Sequence, residues 1–472
     1  MSDVVKAGFK VDDQPTLKLT GRGWVLHWNG KSVTIFDDIL GLKNLELIKE
    51  AFGLPSLGEA WKLKTLALSE WWPEDLDEFR NLFPTVVGED DNVKMAALAK
   101  LTVKLRNANE RIWGELIEAK NSAGKSNFAK AFLDAFSLLG LVEEFTRITE
   151  AFYERQKNVD RKFIYLQEAQ NTPTAVHISM SEGFIRIGIV DRDERGRLRP
   201  TEITTLGTPY LVATTTNWRG NPDLIHRTII ITLDESAEQT YRIAEFKARL
   251  DMDFEFKRAF ERFTKGCQKI LAKLWQAIPE NIDVVIPFFD LIVEKLKQEL
   301  QDNVDVKLRR DIVKLAAFIK GHAILMMNKR PRFRASLEDG REVTVIIATP
   351  EDLEAVLPLL RTAFKTTIAG ISDKELTVLK ALEEIENGRG EGLGYATYRE
   401  LARITKIPSS TIRLVIIPRL ENLGLVIVDR ESRPHRIERT KRAITEVALA
   451  FSEEEKRLMN ERVEEAVKRL AS

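Results

Sequence analysis

The chain has 472 residues, and its 72 Lys plus Arg equal its 72 Asp plus Glu, so no global field draws it to nucleic acid and any such binding must come from local patches. One cysteine, Cys267, excludes an internal disulfide, and five scattered histidines give no metal-ligand spacing. The length calls for roughly two to four domains; with no run near the ~18 apolar residues of a membrane helix and no signal-peptide block in MSDVVKAGFKVDD, a soluble cytoplasmic protein is expected.

Residues 1–105 are expected to form a small α+β domain. TLKLTGRGWVLHWNGKSVTIF alternates like strands, and Asn29-Gly30 between apolar-alternating flanks is a type I′ hairpin signal. Two amphipathic helical stretches follow, the second near DNVKMAALAKLTVKL. Five tryptophans lie here, Trp24, Trp28, Trp61, Trp71 and Trp72. Aromatics on a sheet can stack single-stranded bases, but residue preference favours the plainer alternative, that they fill a core.

From 106 to 240 apolar strands alternate with loops and helices, as in an α/β unit with a parallel sheet. The expected strands are IWGELIEA, FIYLQE, YLVATTT and TIIITLDE. Between the first strand and the helix NFAKAFLDAFSLLG runs the stretch from Ala119 through Asn121, Ser122, Ala123, Gly124, Lys125 and Ser126 to Asn127. A glycine-lysine-serine at a helix start has a direct use. Backbone N–H groups face an anion, Lys125 reaches the outer phosphates and the Ser126 hydroxyl can ligate Mg²⁺. The usual pattern opens on glycine, and this chain has Ala119, so a solvated loop is the alternative.

A nucleotide hydrolase also needs an acid at the tip of a neighbouring strand. FIYLQE supplies Glu168 as the base, while Gln167 stands where an aspartate is usual and brings no negative charge to Mg²⁺. The alternative is an edge glutamate in water. YLVATTT leads to Asn217, placed to hydrogen-bond the γ-phosphate or the attacking water, with Thr216 as a rival. Arg227 precedes TIIITLDE, where it can act as an arginine finger if a neighbouring subunit brings it to the site; the alternative is a surface arginine in a salt bridge.

The order AGKS, FIYLQE, ATTTN, LIHRTIIITLDES resembles the AAA+ ATPases. HISMSEGFIRIGIVDRDERGRLRPTEITTLG, read as two strands joined by a charged turn within residues 180–206, narrows the resemblance to the minichromosome maintenance (MCM)-like helicases and related ATPases of plasmids, viruses and integrated elements. The resemblance implies ATP with Mg²⁺, a homo-hexameric ring, and a hairpin that grips a DNA single strand in the channel through Arg192, Arg195, Arg197 and Arg199. Asp191, Asp193 and Glu194 share that tip, so a solvated turn is the alternative. LRRDIVKLAAFIKGHAILMM followed by VIIATPEDLEAVLPLL, within residues 241–370, resembles the family's helical lid. There the resemblance implies a phosphate-contacting arginine, Arg310 in preference to Arg309.

Residues 371–472 read as a winged helix-turn-helix plus a terminal charged helix. ENGRGEGLG at 386–394 is expected as a loop, TYRELARIT as the first helix, and STIRLVIIPRLENLG as the second, capped by Ser409 or Ser410 and ending on Gly424. Pro418 is expected to shorten or kink it. Strand LVIVDR, a wing at ESRPHR and a returning strand follow. Between Arg399 and Arg442 there are eleven Lys/Arg against five Asp/Glu, the electrostatic footprint of a duplex reader. Thr411, Arg413 and Arg419 are expected at the groove or backbone, with Arg433 and Arg436 on the wing; protein contact is the alternative use. The whole reads as an ATP-dependent DNA helicase or translocase for replication in a mobile element, with a nucleotide-switched initiator that does not unwind, or an ATPase scaffold without turnover, as alternatives.

Overall fold

The computed structural model describes residues 14–169, 172–192, 198–216, 228–300, 308–363, 373–389, 395–440 and 450–471. The chain opens with an antiparallel meander of β1 (Thr16–Thr20), β2 (Gly23–Trp28) and β3 (Lys31–Ile35). Asn29 and Gly30 have φ of 50° and 71°, the two positive values a type I′ turn needs. Helices α1 (Leu45–Phe52), α2 (Leu57–Glu70), α3 (Leu76–Arg80) and α4 (Asp90–Leu101) follow, with Ser56 and Asp75 accepting backbone N–H groups as caps of α2 and α3. Trp24 is fully buried and meets Trp71 edge to face at 5.1 Å, and Trp28 meets Phe52 at 5.9 Å. These three tryptophans are core, whereas Trp61 is exposed.

Next come β4 (Gly114–Glu118), α5 (Lys125–Ser137), β5 (Val142–Phe145), α6 (Glu150–Tyr153), β6 (Phe163–Leu166), α7 (Thr174–Glu182), β7 (Phe184–Arg192), β8 (Leu198–Leu206), β9 (Tyr210–Thr215) and β10 (Ile229–Thr232). Five of these strands form one parallel sheet in the order β10-β4-β9-β6-β5. Sequence periodicity finds four of them. It misses β5, VEEF, because two glutamates on an edge strand give no apolar run. β7 and β8 pair antiparallel from Phe184 opposite Leu206 to Arg192 opposite Leu198, a ribbon inserted ahead of β9.

Helices α8 (Ala237–Met252) and α9 (Phe254–Ala277) lead to β11 (Ile282–Val285), α10 (Phe289–Leu300), α11 (Leu308–Leu325), β12 (Arg332–Ser336), β13 (Glu342–Ile347) and α12 (Pro350–Ala363). The helical region is therefore interrupted by a three-stranded sheet, β11-β13-β12, that amphipathic periodicity does not foresee. His322 is a packed helical residue: its Nδ1 lies 2.7 Å from Asp352, which also takes two bonds from Arg330.

The C-terminal unit contains α13 (Asp373–Arg389), α14 (Tyr398–Thr405), a helical run of Ser409–Thr411, Ile412–Ile416 and Ile417–Asn422, then β14 (Val426–Asp429) and β15 (Arg436–Arg439). Two expectations change here. The stretch 386–389 is the last turn of α13 rather than loop. The helical run has Pro408 at its cap position with no side-chain cap from either serine, and a π-helical turn at Ile412–Ile416 precedes Pro418, which sits in the first turn of the segment Ile417–Asn422 and does not end the helix. Thr397 and Glu400 close a reciprocal capping box on α14. The last helix, α15 (Glu453–Ala471), leaves this unit and joins the main core through Met459 and Val463, with ion pairs Lys456–Glu354 at 2.8 Å and Lys295–Glu455 at 3.1 Å.

Candidate nucleotide site

Because β4, β6 and β9 are parallel neighbours, their carboxyl ends converge on one edge of the sheet, where ligands bind in open α/β folds. The loop after β4 turns through left-handed conformations at Ser122, φ 67°, and Gly124, φ 89°, before entering α5. Such alternation aims successive N–H groups into an anion-binding concavity at a helix start. Lys125 is buried, and its Nζ donates to the carbonyls of Ala119 at 2.8 Å and Lys120 at 2.7 Å. Burial lowers its pKa, and the charges of Glu168 and Glu235 pull the other way, which places both acids within electrostatic reach of the ammonium.

Ala119 is compatible with this loop. It is not among the described residues with positive φ, so the freedom of glycine is not required there. Its methyl group is buried in the main core, and its N–H donates to Thr215 at the end of β9. The departure from the usual first glycine is therefore absorbed by packing.

Glu168 follows β6 and is exposed, with φ 49° and its N–H donating to Thr214 Oγ1 at 3.1 Å. A non-glycine residue held there costs about 1–3 kcal/mol and is common where a side chain is aimed for function. Gln167 departs from its expected role. Its amide donates to Glu144 on β5 instead of turning to the loop. Ser126 is exposed in the first turn of α5. Thr216 is exposed beyond β9. Asn217 and Arg227 lie outside the described residues, as does the side chain of Arg310, whose backbone is in the first turn of α11.

A cavity of about 740 Å³ opens beside the loop, bounded by Asn121, Ser122, Ala123, Gly124 and Asn127. Its far wall was not foreseen from sequence. Val86, Val87 and Glu89 cross over it, tied down by Asn127 Nδ2 donating to Thr85 at 2.9 Å and Gln239 Nε2 donating to Val87 at 2.5 Å. Gly88 in that segment has φ 75°, a left-handed conformation that favours glycine, and a Cβ there would push the Gln239 side-chain amide aside. Glu235 accepts the Lys120 N–H at 2.6 Å and pairs with its ammonium at 3.0 Å. Burial raises the Glu235 carboxyl, but the Lys120 hydrogen bonds and the Lys374 charge outweigh it and hold it below the ordinary range. The available signals were Gly88 ahead of an acidic helix start and Ser236 as the cap of α8.

The C-terminal unit touches this site. Arg419 lies 3.2 Å from Glu375 and 3.9 Å from Glu118, the last residue of β4, and Lys374 lies 3.8 Å from Glu235. Burial raises the Glu118 carboxyl, while Arg419 and Lys374 pull it down. Arg419 is thus turned inward onto carboxylates, not outward to a groove, because Glu375 on α13 and Glu118 at the sheet edge attract it. Arg413, Arg433 and Arg436 are exposed, Thr411 is half-buried, and the Arg436 guanidinium covers the Tyr395 ring at 4.3 Å. Arg199 is exposed on β8; the side chain of Arg192 and all of Arg195 and Arg197 lie outside the described residues.

Among the described residues no group of three His, Cys, Asp or Glu is placed to hold a metal, and no helix is long and apolar enough to cross a membrane. The strand order and the loop make this an α/β P-loop core. No family model matches the sequence. No curated protein matches it either. Similar solved structures include a full-length MCM homolog from Methanopyrus kandleri, 13% identical over 61% of this chain and 58% of that one with a TM-score of 0.36. That match spans less than two thirds of the Methanopyrus protein. The RuvB Holliday junction branch migration motor of Thermotoga maritima is 14% identical over 80% and 99% of the two chains with a TM-score of 0.25. The SCCmec type IV Cch active helicase is 13% identical over 94% and 100% with a TM-score of 0.32.

Proposed function

We propose that the protein is an ATP-driven DNA motor of the AAA+, MCM-like type, working as a homo-hexameric ring in replication of a mobile element. The observation that carries this reading is Lys125, folded back on its own loop carbonyls within electrostatic reach of Glu168 at the tip of a neighbouring parallel strand. On nucleotide binding, Lys125 exchanges two carbonyl partners for phosphate oxygens, and the loop N–H groups take the remaining charge. Ser126 and Glu168 offer one hydroxyl and one carboxylate, a sparse set that fits an Mg²⁺ ion held mainly by phosphates and water. That ion would neutralise phosphate charge. Glu168 orients and deprotonates the attacking water, Asn217 positions it, and Arg227 of a neighbouring subunit and Arg310 stabilise the transferring group. The β7–β8 ribbon grips a single strand through Arg192, Arg195, Arg197 and Arg199, and the C-terminal unit reads duplex as a winged helix through Thr411, Arg413, Arg433 and Arg436.

DNA-stimulated ATPase activity and forked-duplex unwinding, both lost in Lys125→Ala, are the expected results. Glu168→Gln is expected to slow turnover by about 10²–10⁴-fold while ATP still binds; unchanged turnover removes Glu168 as the base. A nucleotide-switched initiator is the second reading, favoured by one contact, the docking of Arg419 beside Glu118 at the foot of the phosphate loop. Tight ATP and duplex binding without unwinding decides for it.

A further inference from the structure

A second cleft, of about 440 Å³, lies where the β1–β2 turn and the residue after β3 meet α8 and α9. Its floor is aromatic. Phe36 stacks on Phe256 at 5.7 Å with 7° between the rings, and on Phe263 at 4.8 Å. Its rim is cationic, with Arg22, Arg80 and Arg249 and no carboxylate among the described lining residues. Arg80 is already engaged with Asp90 and the carbonyls of Phe83 and Val86. Arg22 and Arg249 are exposed, and the Arg249 guanidinium sits 4.0 Å over the Phe256 ring.

We propose that this cleft seats one nucleotide of a single-stranded nucleic acid, its base against the phenylalanine floor and its phosphate between Arg22 and Arg249. Three properties support this occupant over an acidic peptide. The volume suits a base and sugar. Stacked rings offer a sequence-tolerant surface for a π-face, and exposed arginines at the lip match phosphate geometry. The placement also has a consequence. Phe246 and Phe260 line both this cleft and the cavity beside the phosphate loop, so a base entering one presses on the wall of the other.

The ligand class rests on the reading of the chain as a DNA-acting ATPase; the site itself does not. The test uses the full chain, fluorescein-labelled oligo-dT and an iododeoxyuridine-substituted oligo-dT for photocrosslinking. Crosslinks are expected on the peptides that carry Phe36 or Phe256. Arg22→Glu/Arg249→Glu is expected to weaken oligo-dT binding about tenfold or more and to reduce the salt slope by about 0.7, the share of one phosphate on a single strand. ATP affinity measured on the same variant reports that it has folded. Unchanged affinity and slope, or crosslinks confined to other segments, overturn the proposal. So does a result in which the variant loses an acidic, tyrosine-containing peptide but keeps oligo-dT. Lys125→Ala separates the two readings, because it is expected to abolish turnover yet leave the crosslink in place.

Discussion

Restoring the usual aspartate next to Glu168 is expected to tighten Mg²⁺ binding, and the acid already beside that position adds to the effect. Gln167 donates its amide to Glu144, which lies across the edge of the sheet on β5 and also sits 3.5 Å from Lys130. Gln167→Asp replaces a donor by a second carboxylate at hydrogen-bond range. Two unit charges about 4 Å apart repel by about 1 kcal/mol in water and about 4 kcal/mol at an effective dielectric of 20. Glu144 is exposed and Gln167 half-buried, so about 1–2 kcal/mol is the working value, close to a tenfold change in a binding constant. The assay is ATP turnover against Mg²⁺ concentration at fixed ATP. A bound cation relieves that repulsion, so Gln167→Asp alone is expected to lower the half-saturating Mg²⁺ concentration about tenfold or more relative to the parent. Gln167→Asp/Glu144→Gln, which has no such repulsion to relieve, is expected to give back up to about tenfold of that gain, with Glu144→Gln alone as the control for freeing the amide. If the single and double variants titrate identically, the Gln167–Glu144 contact has no bearing on the metal and the reasoning fails.

Three further outcomes follow from charges the fold encloses. Lys100 Nζ lies 2.5 Å from Glu115 Oε2 with both side chains at most 1% exposed, so Lys100→Met strands a buried carboxylate and is expected to cost about 3–5 kcal/mol, mostly recovered in Lys100→Met/Glu115→Leu; denaturant midpoints of the two variants check this. Burial lowers Lys64 from 10.5 to about 8; between those pH values the unfolded chain holds a proton that the folded one has shed, so stability rises with pH there. Solvent screening trims the effect to about 1–2 kcal/mol, and Lys64→Met is expected to flatten the rise in a pH series of denaturant titrations. Arg419→Ala is expected to weaken duplex binding less than Arg413→Ala/Arg433→Ala in anisotropy titrations, because its guanidinium already faces Glu375 and Glu118; an equal loss places Arg419 on the DNA face.

The parts of the site that were legible in the sequence are those that carry their own local pattern. Gly124-Lys125-Ser126 at the head of an amphipathic helix, and FIYLQE as an apolar strand ending in acid, needed no tertiary information. The Asn29-Gly30 turn is of the same kind, since φ preference is written in the residue type. What stayed hidden was set by distant contacts. Gln167 looks like a weakened metal ligand until β5, a strand with no periodic signal, brings Glu144 beside it. Arg419 looks like part of a basic stripe until Glu118, some three hundred positions earlier, is seen to attract it. Val86 to Glu89 carry no periodic sequence pattern of their own, and only Gln239 across the cavity, donating to the Val87 carbonyl, shows that the segment is held over the loop.

One physical link joins these cases to function. Helix α4, at the end of the segment expected to be a separate domain, lies against α11 and reaches β4 through the Lys100–Glu115 pair. Tyr210 at the start of β9 also donates to Glu115, at 3.3 Å. A single apolar cluster runs from Leu17 through Ala119 and Phe128 to Val463, so the meander, the phosphate-loop helix and the terminal helix share one core. Interiors packed in this way transmit strain rather than absorb it. On the proposed function, the movement of the loop as Lys125 exchanges its carbonyls for phosphate is carried through this core to α4, which continues from the segment over the cavity.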